Sequence, residues 1–408
     1  MINKNLSVIQ EEFEKDFLIC MKEEILEKVL AIEKDLPIET PTIGLYSGEA
    51  GKAMFYSYLS KHLGTNEYDE KIEKSLLNIF EAVNNGDFNT TFCSGLAGIT
   101  WSIEHLKQNN LLDLEDTFED VYDAFRESVL IYAGRGEFDF LHGADGIVYC
   151  LLMLGATDEA FINKWLELSL QFAKKDGDGF VWETIVNVTS DDKVLNLSLA
   201  HGLSSKIILF AETLKKYPQN KLAKDLLEGS VNYLLKVKHP NNFSCCFPSF
   251  INKNSDKDHS RLAWCYGDLG NAIALWRAGN LTQNNTWKNQ AINTMLFAAT
   301  RKNLEAESVF DAGFCHGSAG IAHIFNRFYI ETGRKEFDEA RWYWLKKTLE
   351  FGKELDGIGG FKTYLGLENK YVAEASFLEG ATGIAMVLLS FLTEKKENIA
   401  WDACFLMN

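Results

Sequence analysis

The sequence predicts an all-α protein, an α/α toroid of seven inner and seven outer helices with short β-rich insertions at its rim. Three observations carry that expectation. A short glycine-bearing motif recurs seven times along the chain. Each copy leads into an apolar helical run, and each is preceded by an amphipathic one.

The copies read LYSGEAG at Leu45–Gly51, FCSGLAG at Phe92–Gly98, FLHGADG at Phe140–Gly146 and LAHGLSS at Leu199–Ser205. They continue as WCYGDLG at Trp264–Gly270, FCHGSAG at Phe314–Gly320 and FLEGATG at Phe377–Gly383. Their first glycines recur at roughly fifty to sixty-five residues, which suits one helical hairpin plus a variable loop. The runs GIVYCLLMLG from Gly146 and GIAMVLLSFL from Gly383 are apolar nearly all round, as expected of helices buried on every side. Ahead of the second motif, Ile72, Leu76, Ile79, Phe80 and Val83 recur at helical spacing opposite Glu and Lys, a one-sided pattern. Comparable stretches lie near residues 8–34, 115–133, 158–175, 219–238, 284–303 and 335–355.

An open array of such hairpins would leave an apolar edge at each end, and no polar capping repeat is visible. Closing the array into a ring removes both edges. The glycine motifs then gather at one end, where turns must approach closely. Three stretches alternate like strands and are expected as hairpins or rim loops: Asp176–Val194, His239–Ser260 and Gly357–Val372. With no Ser/Pro-rich linker or second core pattern, a single domain over 1–408 is expected.

Composition narrows the function. Of 408 residues, 41 are basic and 58 acidic, a formal charge of −17 that argues against nucleic acid as the main partner. No stretch reaches the roughly 18 apolar residues of a membrane helix, and the N-terminus lacks a signal-peptide apolar region. A cytoplasmic location is expected. The eight cysteines, without a framework pattern, read as thiols in a reducing compartment, buried or metal-bound.

The residue before each first glycine should face the mouth of the ring: Ser47, Ser94, His142, His201, Tyr266, His316 and Glu379. Three of the eight histidines fall at this one position, and Cys265 and Cys315 adjoin two of its residues. Two thiolates and an imidazole, Cys265, Cys315 and His316, would hold zinc with one position open. The alternative is that both thiols pack as small apolar groups and His316 caps its helix. A competing set, Cys245, Cys246 and His259, is awkward because neighbouring strand residues point to opposite faces. His201 suits a general acid or base, with Asp139 able to orient it across the ring. Arg261 and Tyr266 could stabilise an oxyanion. Glu49, Asp145, Asp268 and Glu379 are expected as helix N-terminal carboxylates.

With LAHG at Leu199–Gly202, WCYG at Trp264–Gly267 and CHG at Cys315–Gly317, in that order over a sevenfold repeat, the chain resembles the lanthionine synthetase C family, the cyclases of lanthipeptide biosynthesis. The resemblance implies a sevenfold toroid with zinc held by Cys265, Cys315 and His316. It implies catalytic roles for His201, Asp139, Arg261 and Tyr266. Family members often carry proline and glycine after the LAHG turn, where this chain has Leu203, Ser204 and Ser205. The implied reaction adds a cysteine thiolate to dehydroalanine or dehydrobutyrine within a dehydrated precursor peptide, forming a thioether ring. A separate dehydratase and a membrane exporter are the implied partners, and through them a membrane-associated complex. Rival readings are a prenyltransferase-like barrel, for which no basic diphosphate pocket is visible, and a glycosidase using a carboxylate pair such as Asp145 and Glu379. A non-catalytic zinc-dependent relative that binds glutathione, another thiol or a peptide would share the same metal residues.

Overall fold

Among the described residues, seven inner and seven outer helices alternate along the chain. The computed structural model describes residues 2–86, 88–114, 119–187, 192–240, 243–252, 259–393 and 396–408. The outer helices are α1 (Ile2–Asp35), α3 (Asp69–Asn84), α5 (Tyr122–Gly134), α7 (Glu159–Phe172), α9 (Lys221–Lys236), α11 (Asn285–Ala298) and α13 (Lys335–Phe351). The inner ones are α2 (Glu49–Leu63), α4 (Leu96–Gln108), α6 (Ala144–Met153), α8 (Leu203–Lys216), α10 (Asp268–Leu281), α12 (Ser318–Thr332) and α14 (Ala381–Leu392). Residues 115–118 of one expected outer stretch lie outside the described residues.

Burial follows the sequence pattern. Outer α3 buries Ile72, Ser75, Leu76 and Ile79 on one face, while inner α6 is buried continuously from Ala144 to Leu152. The array closes as expected: α14 packs on α2, and N-terminal α1 packs on α14. Both would-be apolar edges are thereby covered.

The repeated motif has a local explanation. Every inner helix starts after a glycine N-cap with no side-chain cap. A loop carbonyl folded back from upstream caps the helix instead: Leu96 N–H donates to the Asn89 carbonyl, Ala144 to Glu137, Ser318 to Asp311 and Ala381 to Glu374. This return brings the loop against the helix start. A Cβ at Gly320 would overlap the Phe314 carbonyl oxygen, and Gly267 adds a left-handed φ of 83°.

Backbone hydrogen bonds tie neighbouring motifs together. Tyr46 N–H donates to the Cys93 carbonyl, Cys93 to Leu141, Leu199 to Cys265, Trp264 to Cys315, Cys315 to Leu378 and Leu378 back to Tyr46. The junction between the third and fourth motifs is spanned by side chains, Asp139 and His201.

The strand-like stretches form small antiparallel units. Strands β1 (Lys174–Asp176) and β2 (Gly179–Val181) make one hairpin. Strands β3 (Glu183–Asn187), β4 (Asp192–Asn196) and β5 (Phe250–Ile251) make a three-stranded sheet. A last hairpin pairs β6 (Thr363–Leu365) with β7 (Lys370–Val372). Residues 188–191, 241–242 and 253–258 of these stretches lie outside the described residues.

The C-terminal segment was not anticipated. A 3₁₀ turn over Lys396–Phe405 carries Trp401, Cys404, Phe405 and Leu406 into the core of the ring. Phe405 stacks on Phe314 (3.8 Å between centroids) and on Tyr46 (4.9 Å), which come from the sixth and first motifs. The segment's carbonyls are also taken up. Tyr46 Oη donates to Cys404 O (2.5 Å), Tyr149 Oη to Ala403 O (2.5 Å) and Trp264 Nε1 to Phe405 O (2.9 Å). The tail therefore plugs the ring beneath the motifs, satisfying its own backbone with the side chains around it.

Candidate metal centre

Cys265 and Cys315 belong to adjacent motifs held in register by the Trp264–Cys315 backbone bond (3.1 Å). That register sets the two thiols side by side, and His316 follows directly. One ligating atom from each of Cys265, Cys315 and His316 lies within 4.8 Å of the others. In a tetrahedral zinc site with bonds of about 2.3 Å, sulfur atoms stand about 3.8 Å apart, so small side-chain adjustments suffice. The donor set is also right chemically: borderline-soft thiolates and an imidazole, suited to zinc.

The electrostatics favour a thiolate here. The Cys315 hydrogen bond holds Cys265 well below the usual thiol range, against the opposing effect of burial, and His316 and the Arg261 cation pull the same way. Cys315 is pushed up by that same bond and by burial, so one proton serves both sulfurs. Burial lowers His316, but the hydrogen bond and the charge of Cys265 together outweigh this and raise it.

In the neighbouring fourth motif, His201 Nδ1 lies 2.7 Å from Asp139 Oδ2. Asp139 is itself fixed, its Oδ1 accepting from the amides of Leu141 (2.7 Å) and His142 (2.9 Å). Burial opposes ionisation of Asp139, yet the hydrogen bond and charge of His201 hold it below the usual carboxylate range. Burial likewise lowers His201, and Asp139 outweighs it, leaving the imidazole raised. The bond to Asp139 commits Nδ1 and leaves Nε2 for other chemistry. The Tyr266 ring, on the residue directly after Cys265, lies 6.1 Å from that of His201, and its hydroxyl is 3.5 Å from Asn196 Nδ2. Burial pushes the Tyr266 phenol up. Arg261 is half-buried, close enough for its charge to act on both cysteines and on His316.

The competing cysteine set does not assemble. Cys245 Sγ lies 3.5 Å from His239 Nδ1 instead, and His259 is exposed. The motif carboxylates Glu49, Asp145 and Asp268 stand in the first turns of their helices, as expected, and they also bind loops and side chains of other elements. Asp268 accepts from the amides of Cys246 (2.9 Å) and Phe247 (2.9 Å) and pairs with Arg301 (2.9 Å). Asp145 is fully buried against Lys206 (2.9 Å) and Trp165 Nε1 (3.1 Å), which removes it from any carboxylate pair with Glu379 at the mouth.

Asp311 also positions the site, although it lies outside the glycine motifs. Asp311 Oδ1 accepts from the Gly313 amide and Oδ2 from the Tyr364 amide, both at 2.9 Å, bracing the turn that carries Cys315 and His316. Asn89, Asn196 and Glu374 make the same local bond to the amide two residues on. All four stand six residues before a first glycine, so aligning the repeats one turn further upstream would have found them.

No curated protein matches the sequence. The solved structure of nisin cyclase superposes with a TM-score of 0.68 at 20% identity, covering 96% of this chain and 98% of that one, a likeness of fold. A sugar epimerase from a ruminal bacterium is more distant, with a TM-score of 0.44 at 10% identity over 91% of this chain and 98% of that one. The family model for "Lanthionine synthetase C-like protein" matches residues 41–406, which includes every glycine motif and all seven residues discussed above. On that match, the chain belongs to the lanthionine synthetase C-like family.

Proposed function

We propose that the whole chain, 1–408, acts as a zinc-dependent cyclase that closes thioether rings in a dehydrated precursor peptide. The observation that carries this reading is the convergence of Cys265, Cys315 and His316 in the same ring of motifs as the Asp139–His201 pair. The fold of nisin cyclase and the family match support it. Cys265, Cys315 and His316 would hold the ion, and zinc there would supply Lewis-acid chemistry, lowering the pKa of a substrate cysteine thiol.

The chain's own residues carry the remaining steps. His201, held through Nδ1 by Asp139, takes the thiol proton at Nε2. The sulfur forms a bond to the β-carbon of dehydroalanine or dehydrobutyrine as the carbon–carbon double bond opens, and the electron pair moves towards the peptide carbonyl. Arg261 and Tyr266 stabilise the resulting enolate oxygen. The proton on His201 is then returned to the α-carbon, giving lanthionine or methyllanthionine with every atom accounted for. The substrate would come from a separate dehydratase, and a membrane exporter would receive the product.

The experiment follows alkylatable thiol in a dehydrated, cysteine-containing peptide. The wild type should consume thiol with no change in peptide mass. His201→Ala and Asp139→Asn should retain zinc and slow the reaction by about 10²–10⁴ and about tenfold or more, respectively. A wild type that binds zinc and the peptide but consumes no thiol would instead mark a thiol-binding relative. Undiminished activity in both variants would remove the proton-transfer roles.

A further inference from the structure

Between the first two repeats, the rim holds a cavity of about 690 Å³ that the chemistry above does not use. It is lined by the loop ahead of α2, by α3 and by the loop into α4, and it reaches Ser94, one of the mouth residues. Its polar lining includes Glu49, Glu81, Asn78, Asn85 and Asn89, with Phe88 contributing a 45% exposed ring.

Glu49 distinguishes this cavity from an ordinary acidic surface. It is only 1% exposed, yet its two carboxylate oxygens are treated very differently. Oε1 accepts from Thr40 N (2.5 Å), Thr40 Oγ1 (2.7 Å) and Lys52 Nζ (3.1 Å). Oε2 is buried and has no hydrogen-bond partner among the described residues. Lys52 cannot serve it as well, because its ammonium already donates to Pro37 O and Ile38 O, both at 2.9 Å. A buried carboxylate oxygen left open in this way is costly unless a donor arrives. Glu39, also on the wall, is engaged by Lys74 at 2.9 Å, whereas Glu81 is exposed and adds further negative charge to the wall, within range of the same lysine.

We propose that this cavity is a substrate subsite that takes a lysine or arginine side chain of the precursor peptide. The cationic nitrogen meets Glu49 Oε2 and the charge of Glu81, the alkyl stem lies along Phe88, and the amides of Asn78 and Asn85 are suited to an extended peptide backbone, Asn89 being committed to Thr91 and Ser94. The chain's net charge of −17 draws such a segment in. Placed beside Ser94 on the mouth, the subsite would register one part of the peptide while another part reaches the metal residues. The proposal rests on the reading that the substrate is a peptide, but not on the chemistry performed on it.

The test uses the full-length zinc-loaded protein and two dodecapeptides of Gly, Ser and Leu. Both are blocked at each end and carry an uncharged fluorophore, and they differ only in a central Lys or Gln. Fluorescence anisotropy at low salt should show the Lys peptide binding about tenfold or more tightly than the Gln peptide. Glu49→Gln should bring that ratio close to unity, and so should Glu81→Lys, an exposed rim change that spares the buried Glu49–Lys52 pair. Selectivity in the wild type that is lost in Glu81→Lys supports the subsite even if Glu49→Gln fails to fold, and even if the wild type closes no rings. Equal binding of the two peptides, or a preference that persists in Glu81→Lys, overturns it even if ring closure is efficient.

Discussion

Lys206 is 2% exposed and lies under the third and fourth motifs, with its ammonium 2.9 Å from Asp145 and 3.9 Å from the centroid of the Phe138 ring. Burial pushes the lysine down and the aspartate up, each opposed by the other's charge. Removing one member of such a pair strands the other. Lys206→Met should therefore destabilise the fold by about 3–5 kcal/mol, and adding Asp145→Leu should recover much of that loss. Urea denaturation of both singles and the double would show it; strictly additive losses would contradict the coupling. The pair was not legible in the sequence. A lone lysine in an apolar helix gives no sign of its partner, which here comes from another repeat. The candidate metal residues were legible for the opposite reason. Cys265, Cys315 and His316 occupy fixed places in a recurring motif, and the repeat itself brings those places together.

At the scale of the element, inner helix α4 carries a histidine with a titration of its own. His105 Nε2 is 2.8 Å from Tyr58 Oη, and its ring stacks on Trp101 at 4.8 Å. Burial lowers it to about 4, against the opposing charge of Asp402. Because the folded value lies below the unfolded value of about 6.5, the unfolded chain binds the extra proton as pH falls between the two. The stability this contributes is complete above pH of about 6.5 and declines towards about 4. From near pH 7.5 to near pH 5 the loss from this one group should be about 2 kcal/mol. His105→Gln should show a smaller drop than the wild type in urea midpoints taken at those two pH values. An equal drop would place the acid sensitivity elsewhere, for instance at buried His323, which burial lowers in the same sense. Helix boundaries such as those of α3 and α13 followed directly from apolar spacing. The capping of the inner helices by upstream carbonyls did not, because it depends on the path of the loop.

For the whole molecule, the need to cover two apolar edges argued for a ring, and α1 and α14 supply the closure. The C-terminal plug was invisible to the same argument. Residues 396–408 have no helical or alternating periodicity, and their burial depends on aromatic side chains from several repeats: Tyr46, Tyr149, Trp264 and Phe314. The plug gives the motif ring a floor, so the cysteines and histidines at the mouth sit on a packed core rather than over a channel. The central claim for that ring is that three of its residues form one metal site. Zinc content per chain in freshly purified wild type and Cys315→Ala, measured side by side, tests it most directly. About one zinc is expected in the wild type and little in the variant. No zinc in the wild type even after addition, or an undiminished content in Cys315→Ala, would contradict it.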